Sequence, residues 1–260
     1  MIDTSRKTYK AIMCDVDGTL IPYDYHSMPS KKVIEAVKKA REKVTMCLVT
    51  GRAFNVITEI LKKFDLTHGF AITNGGAVVL DVATREIIYD KPLEAGEAEE
   101  LVSLLKEMNI SFYMKTNPFE GADTDGVFKN QETFETVYMV HALEDYPEEQ
   151  INELFKKLSH LSHLTLHKSK HKSPTKFGFN VTHAEATKAH GIEVLMKRLN
   201  LKREDIIGIG DGWNDYPLLM ASGLKVAMGN AIPELKDIAD YIAPSVSEDG
   251  VADVINKFVL

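Results

Sequence analysis

Two short acidic segments carry the residue types and spacings that could do chemistry. Asp15-Val16-Asp17-Gly18-Thr19 follows the apolar run Ala11 to Cys14, and Gly210-Asp211-Gly212-Trp213-Asn214-Asp215 follows the apolar run Ile206 to Ile209. Carboxylates two residues apart on an extended chain point the same way, and Gly18 permits a sharp turn that folds the backbone back over them. Asp215 lies four residues after Asp211, about one helical turn on, so both can face one mouth. Like charges held together repel and need a cation or a shared proton. A hard set of oxygen donors with positions left for water and phosphate is what Mg²⁺ selects. A helix cap explains Asp211 or Asn214 singly, but not paired acids at two separate strand ends.

Two further segments add positive character. Thr50-Gly51-Arg52 ends the run Val44 to Val49 and opens a helix, where a hydroxyl and free backbone amides form an anion site. Lys188 lies near the start of another helix. Singly, these are weak signals, because Thr-Gly often only caps a helix and most helix lysines are solvated. Their combination with four acids is what points to a phosphorylated ligand.

The elements that must position these residues follow from periodicity. Residues 1–81 alternate short apolar runs with amphipathic helices: a strand at Ala11 to Cys14, a helix after Ser30 with Val33, Ile34, Val37 and Ala40 at helical spacing, a strand at Val44 to Val49, a helix from Ala53 to Phe64 and a strand at Phe70 to Thr73. The same grammar returns at 184–260: a helix at Glu185 to Leu199, the Ile206 to Ile209 strand, a helix at Asn214 to Ala221 closed by Gly223, a strand at Val226 to Met228 and a helix opened by Pro233. Between them, Ala77 to Leu80, Glu86 to Tyr89 and Thr136 to Val140 read as antiparallel strands mixed with helices near Glu97 to Met108 and Pro147 to Leu158. The predicted architecture is therefore α/β: a Rossmann-like, doubly wound parallel sheet formed by residues 1–81 and 184–260, interrupted by an α+β cap over residues 82–183. In an open parallel sheet, ligands bind outside the carboxyl ends of the strands, which is where the acids sit.

Composition excludes several classes. The chain has 260 residues, 44% hydrophobic and 27% charged, with 9 Pro and 16 Gly, which is ordinary globular usage rather than collagen-like or disordered. Its net charge of −7 argues against a nucleic-acid partner held by phosphate contacts. No run approaches 18 apolar residues and Met1 to Lys10 is polar, so neither a membrane span nor a secretory signal is expected, and a cytoplasmic protein is. Cys14 and Cys47 sit in apolar runs and are expected as buried thiols. Charge within the cap is polarised, since residues 156–183 hold six lysines, five histidines and no acid. The histidines His160, His163, His167 and His171 are expected on the surface rather than around a metal. Trp213, next to the acids, reads as either a lid to the site or plain helix packing, and packing is the expectation.

Taken together, the D-x-D-G-T of Asp15 to Thr19, the T-G-R of Thr50 to Arg52, the N-G-G of Asn74 to Gly76, Lys188, the G-D-G-W-N-D segment and the V-A-M-G-N-A of Val226 to Ala231 resemble the haloacid dehalogenase superfamily, specifically the Cof-type phosphatases of subclass IIB. The resemblance covers both ends of the chain; the cap is similar only in size and position. It implies a Mg²⁺-dependent phosphatase acting through an aspartyl-phosphate on Asp15, with Asp17 as general acid and then general base. It also implies metal ligation by Asp15, the Asp17 carbonyl, Asp211 and Asp215, and phosphate contacts from Thr50, Gly51, Lys188, Asn214 and the Val16 amide. Arg52, Asn74 and the segment Lys168 to Lys176 are candidate substrate contacts, and the partner would be a small phosphorylated metabolite, a sugar phosphate or similar. A phosphomutase of the same superfamily and a receiver-type phospho-signalling switch use nearly the same parts. Release of inorganic phosphate distinguishes the hydrolase from the mutase, and the large insertion opposes the switch.

Overall fold

Ala11-Ile12-Met13-Cys14 is apolar at every position, and such a strand is stable only where both faces are covered. In the computed structural model, which describes residues 8–24, 26–120, 136–169 and 175–260, these residues form β1 (Ala11–Cys14), buried throughout. α1 (Lys31–Ala40) begins where the Ser30 side chain accepts from the Val33 amide, and it buries Val33, Ala36, Val37 and Ala40. β2 (Thr45–Val49), α2 (Phe54–Phe64) and β3 (Phe70–Thr73) continue the alternation. After a tight turn at Asn74–Gly76 the chain forms β4 (Val78–Asp81) and β5 (Ile87–Asp90).

The middle of the chain holds α3 (Ala95–Glu107), β6 (Phe112–Lys115), β7 (Met139–Ala142), β8 (Tyr146–Pro147), α4 (Glu148–Lys157), β9 (Leu164–Ser169) and β10 (Lys176–His183). The return comprises α5 (Lys188–Leu199), β11 (Ile206–Gly210), α6 (Tyr216–Met220), β12 (Leu224–Ala227), α7 (Pro233–Asp237), β13 (Tyr241–Ile242) and α8 (Gly250–Phe258).

The strands form two sheets. The larger has the order β13-β12-β11-β1-β2-β3-β4-β5, parallel from β13 to β3 and antiparallel at β4 and β5. The chain moves outward from β1 to β2 and β3, then resumes on the other flank with β11. The strand order reverses at β1, where a crevice opens beyond the carboxyl ends. The second sheet contains β6 to β10, with β10 pairing β7, β8 and β9, all antiparallel. Each sheet has its own apolar cluster, one around Ile12, Leu48, Ile72 and Ile207, the other around Leu101, Val140, Leu154 and Phe179. Both cysteines are free and buried, and burial raises both thiols. Among the described residues no helix is long and apolar enough to cross a membrane.

The α/β class is as expected. The large sheet, however, runs past residue 81 to include β5, because antiparallel pairing of β4 with both β3 and β5 extends it by a hairpin. The expected helix from Asn214 is shorter: Trp213–Asp215 forms a 3₁₀ turn and α6 starts only at Tyr216, before Pro217. The exit from the large sheet and the return to it are tied together, as Tyr89 Oη donates to the Glu185 carbonyl at 2.9 Å and Lys91 Nζ lies 3.5 Å from the Glu185 carboxylate.

Candidate active site

Register brings the acids together. Cys14 on β1 pairs with Ile209 on β11, so Asp15 and Asp211 leave adjacent strands at nearly the same level, and the Asp15 amide donates to the Ile209 carbonyl at 3.0 Å. Beyond Asp15 the chain folds back at once: the Leu20 and Ile21 amides donate to the Val16 carbonyl, and Gly18 donates to Ile21. Gly18 has φ +81°, and a Cβ there would meet Asp211 Oδ2 at 2.3 Å, so only glycine lets the loop approach the second acid.

Asp15, Asp211 and Asp215 are buried, each with an oxygen within 4.8 Å of the others. One buried amine serves two of them, since Lys188 Nζ donates to Asp15 Oδ1 at 2.6 Å and to Asp215 Oδ1 at 2.5 Å. Lys188 is the first residue of α5, where the Thr187 side chain accepts from the His190 amide. Gly76 lets that helix start come close: at φ +119°, a Cβ on it would sit 2.1 Å from the Thr187 carbonyl carbon. Asp215 Oδ2 accepts from the Asp211 and Gly212 amides at 2.9 and 3.0 Å, closing its own turn. Asp211 accepts from Thr19 Oγ1 at 3.1 Å and Tyr23 Oη at 2.7 Å. Asn230 Nδ2 donates to the Gly18 carbonyl at 2.8 Å, tying the two acidic loops.

The electrostatics follow from burial. Asp15 is pushed well above the usual carboxylate range by burial and then by Asp215, against the opposing pull of Lys188. Burial, then Asp215, lifts Asp211 to about 7, while Tyr23, Thr19 and Lys188 restrain it. Burial alone would lower the Lys188 amine, but Asp15 and Asp215 carry it above its ordinary value. Three buried acids beside one ammonium cannot all ionise without a further cation. With only hard oxygen donors facing it, the cluster fits a divalent cation of the Mg²⁺ kind.

The other expected residues divide between this cluster and its rim. The Asp17 carboxylate stands apart from the three acids and is gripped by Arg52, with Nε 2.9 Å from Oδ2 and Nη2 2.6 Å from Oδ1. Arg52 thus spends its guanidinium on Asp17. Thr50 is buried and its Oγ1 accepts from the Arg52 amide at 3.0 Å, while nothing lies within 4 Å of a Cβ placed on Gly51. Val16 is buried behind the turn and Asn214 is exposed at its front. Asn74 lies beside the Thr50–Arg52 segment, its amide donating to the Arg52 carbonyl at 3.0 Å; its φ is +51°, its Nδ2 donates to the Pro118 carbonyl at 3.2 Å, and its Oδ1 is buried without a partner.

Sequence reading missed Tyr23, Lys115 and the donor role of Thr19. Thr19 lay inside the quoted motif, whereas nothing local marks Tyr23. Lys115 on β6 reaches across to donate to the Gly51 carbonyl at 2.5 Å; burial lowers its amine to about 7, with Arg52 adding to the effect and Asp17 opposing it. His160 and His163 are exposed and lie against Glu100 and Glu97, as expected of surface histidines. His167 instead turns inward, with Nε2 3.3 Å from Thr182 Oγ1, and His171 lies outside the described residues. Trp213 is not packed within a helix but sits 37% exposed against Phe177 of the second sheet. Of Lys168 to Lys176, Lys168 pairs with Glu148 at 3.0 Å, and residues 170–174 lie outside the described residues.

Residues 12–255 match the family model of the haloacid dehalogenase-like hydrolases. The chain is 26% identical over 269 residues to the putative phosphatase YxeH of Bacillus subtilis, covering 97% of this chain and 99% of that protein. It is 29% identical to a putative phosphatase of Streptococcus pyogenes serotype M6, covering 96% and 98%. Among solved structures, a haloacid dehalogenase-like hydrolase from B. subtilis superposes with a TM-score of 0.80 at 23% identity, over 95% of this chain and 99% of that one, which establishes the shared fold.

Proposed function

The chain belongs to the haloacid dehalogenase-like hydrolases, and from that premise we propose that it is a Mg²⁺-dependent phosphatase of small-molecule phosphomonoesters. The observation that carries this reading is the buried Lys188 amine shared between Asp15 and Asp215, with Asp211 beside them. A nucleophile, a cation for the transferring oxygens and a hard-metal donor set meet at one strand-end mouth.

Asp15 is the nucleophile. Its oxygen forms a bond to phosphorus as the ester P–O bond breaks, which splits one difficult displacement into two easier ones. Asp17 gives a proton to the departing alkoxide, then takes one from the water that attacks the aspartyl-phosphate and returns Asp15 free with inorganic phosphate. Arg52 orients Asp17 for both transfers. Thr50, the Gly51 amide, Lys188, Asn214 and the Val16 amide receive the phosphoryl oxygens, and Lys188 keeps Asp15 aimed by a 2.6 Å hydrogen bond. Asp15, the Asp17 carbonyl, Asp211 and Asp215 would hold Mg²⁺, which when bound offsets the charge of the acids and of the phosphoryl group. Residues 82–183, with the boundary shifted beyond β5, serve as a cap that excludes water and meets the leaving group.

The test is phosphate release from a panel of phosphomonoesters with and without Mg²⁺. Asp15→Asn is expected to keep the fold and lose turnover by at least about a thousandfold. Turnover by Asp15→Asn at the wild-type rate would overturn the mechanism, and an isomeric phosphate in place of free phosphate would make the protein a mutase.

A further inference from the structure

A cavity of about 430 Å³ lies between the start of α4 and the turn that carries Asn214. That volume is within the range of small-ligand sites. Asn214, one of the phosphate contacts proposed above, is part of its lining, and its chain neighbour Asp215 belongs to the acidic cluster. One wall is apolar and aromatic. Phe177 and Trp213 meet with ring centroids 6.2 Å apart and planes tilted by 50°, with Leu166 beside them.

The charged groups of this lining are already matched to each other. Lys168 Nζ lies 3.0 Å from Glu148 Oε1 and 3.0 Å from Asn152 Oδ1, and 5.9 Å from the Phe177 centroid. Lys168, the member of the Lys168 to Lys176 segment that lines this cavity, is therefore neutralised by the first residue of α4. His167 adds no charge, because burial, with the nearby Lys188 charge, lowers it to about 4. A polyol leaving group carries a hydroxyl on most carbons, and each needs a partner once water is excluded. A second phosphate needs an unpaired cation. Among the described residues, what this cavity leaves open to a ligand is the wall of Phe177, Trp213 and Leu166, with Asn214 at its edge.

We infer that the cavity holds the leaving group and selects phosphomonoesters whose alcohol bears an aromatic or heteroaromatic ring, packed on Trp213 and Phe177. The inference deepens the phosphatase reading above and rests on it for the position of the phosphate. Selection is expected to be carried by ring stacking rather than by apolar size alone.

Benzyl phosphate and cyclohexylmethyl phosphate separate those two effects, having similar size and similar leaving alkoxides; glucose 6-phosphate represents the polyols. Expected is a kcat/KM for benzyl phosphate about tenfold above cyclohexylmethyl phosphate and further above glucose 6-phosphate, with Trp213→Leu bringing the first ratio close to one. Trp213 is the sole tryptophan of the chain, so its emission reports occupancy directly. In Asp15→Asn, benzyl phosphate should shift that emission saturably. Equal kcat/KM for the benzyl and cyclohexylmethyl esters, a ratio that Trp213→Leu leaves unchanged, or no emission change with benzyl phosphate would each overturn the inference. If wild-type protein hydrolyses none of the three esters while the emission still saturates with benzyl but not cyclohexylmethyl phosphate, the cavity assignment stands and the phosphatase reading falls.

Discussion

The two sides of the mouth treat charge in opposite ways. On the large-sheet side, Asp15, Asp215 and Lys188 are packed within 2.6 Å contacts and almost fully buried, with Asp211 alongside. On the other side, β9 and β10 present Leu166, Phe177 and a neutral His167 to the cavity, and the lysine that lines it, Lys168, is half-buried and tied to Glu148. Buried charges must be satisfied by named partners at fixed distances, so a single loss there damages folding and chemistry together. An apolar surface is tolerant, so changes there should alter selectivity first.

Lys188→Met is the most severe way to probe that contrast. It strands Asp15 and Asp215 without their cation, and it should cost about 3–5 kcal/mol in stability as well as turnover, read by denaturant midpoint and phosphate release. A Lys188→Met protein as stable as wild type would break the comparison. Gly76→Ala tests whether the same side depends on backbone approach. With φ +119° and the Thr187 backbone in the way, it should cost about 3 kcal/mol and displace Lys188.

The β9–β10 side enters through pH. Folded His167 titrates near 4, whereas in the unfolded chain its pKa is about 6.5. Between those values the unfolded state holds more protons at this group, so the His167 contribution to stability is full above about 6.5 and falls as pH drops towards 4, by about 2 kcal/mol at pH 5. The difference in unfolding free energy between wild type and His167→Gln across pH 4–7 should shift in favour of the variant by that amount as the pH falls to 5; a difference independent of pH would remove the effect. The smallest effect belongs to Lys168→Met. Its pair with Glu148 is partly solvated, so a loss under about 1 kcal/mol is expected; a larger loss would show that this side too depends on charge.

The large-sheet side was legible in sequence because its information is local. A carboxylate directly after an apolar run is at a strand end whatever else the chain does, so Asp15 and Asp211 could be placed before any contact was known. Partner choice is not local. That Arg52 would grip Asp17, that Asn74 would donate to Pro118, and that Tyr23 would reach Asp211 depends on how distant loops meet. β5 shows the same limit at the level of sheets: its residues read correctly as an antiparallel strand, but nothing in its own pattern says which sheet it joins. Trp213 reads in sequence as either a lid or helix packing, and its neighbours alone do not decide between them. The 3₁₀ turn that precedes Pro217 rotates the indole out towards Phe177.

The tie between Tyr89, Lys91 and Glu185 has an evolutionary meaning. Because the chain leaves and re-enters the large sheet at one place, everything between behaves towards that sheet as one long loop. Lengthening such a loop is cheap, about 0.6 kcal/mol for each doubling. The intervening stretch can therefore be replaced as a single contiguous block, by recombination or by design, with the strand-end acids left untouched. An exchanged block would still meet Trp213, which the large-sheet side contributes to the cavity, so that residue sets which replacements fit.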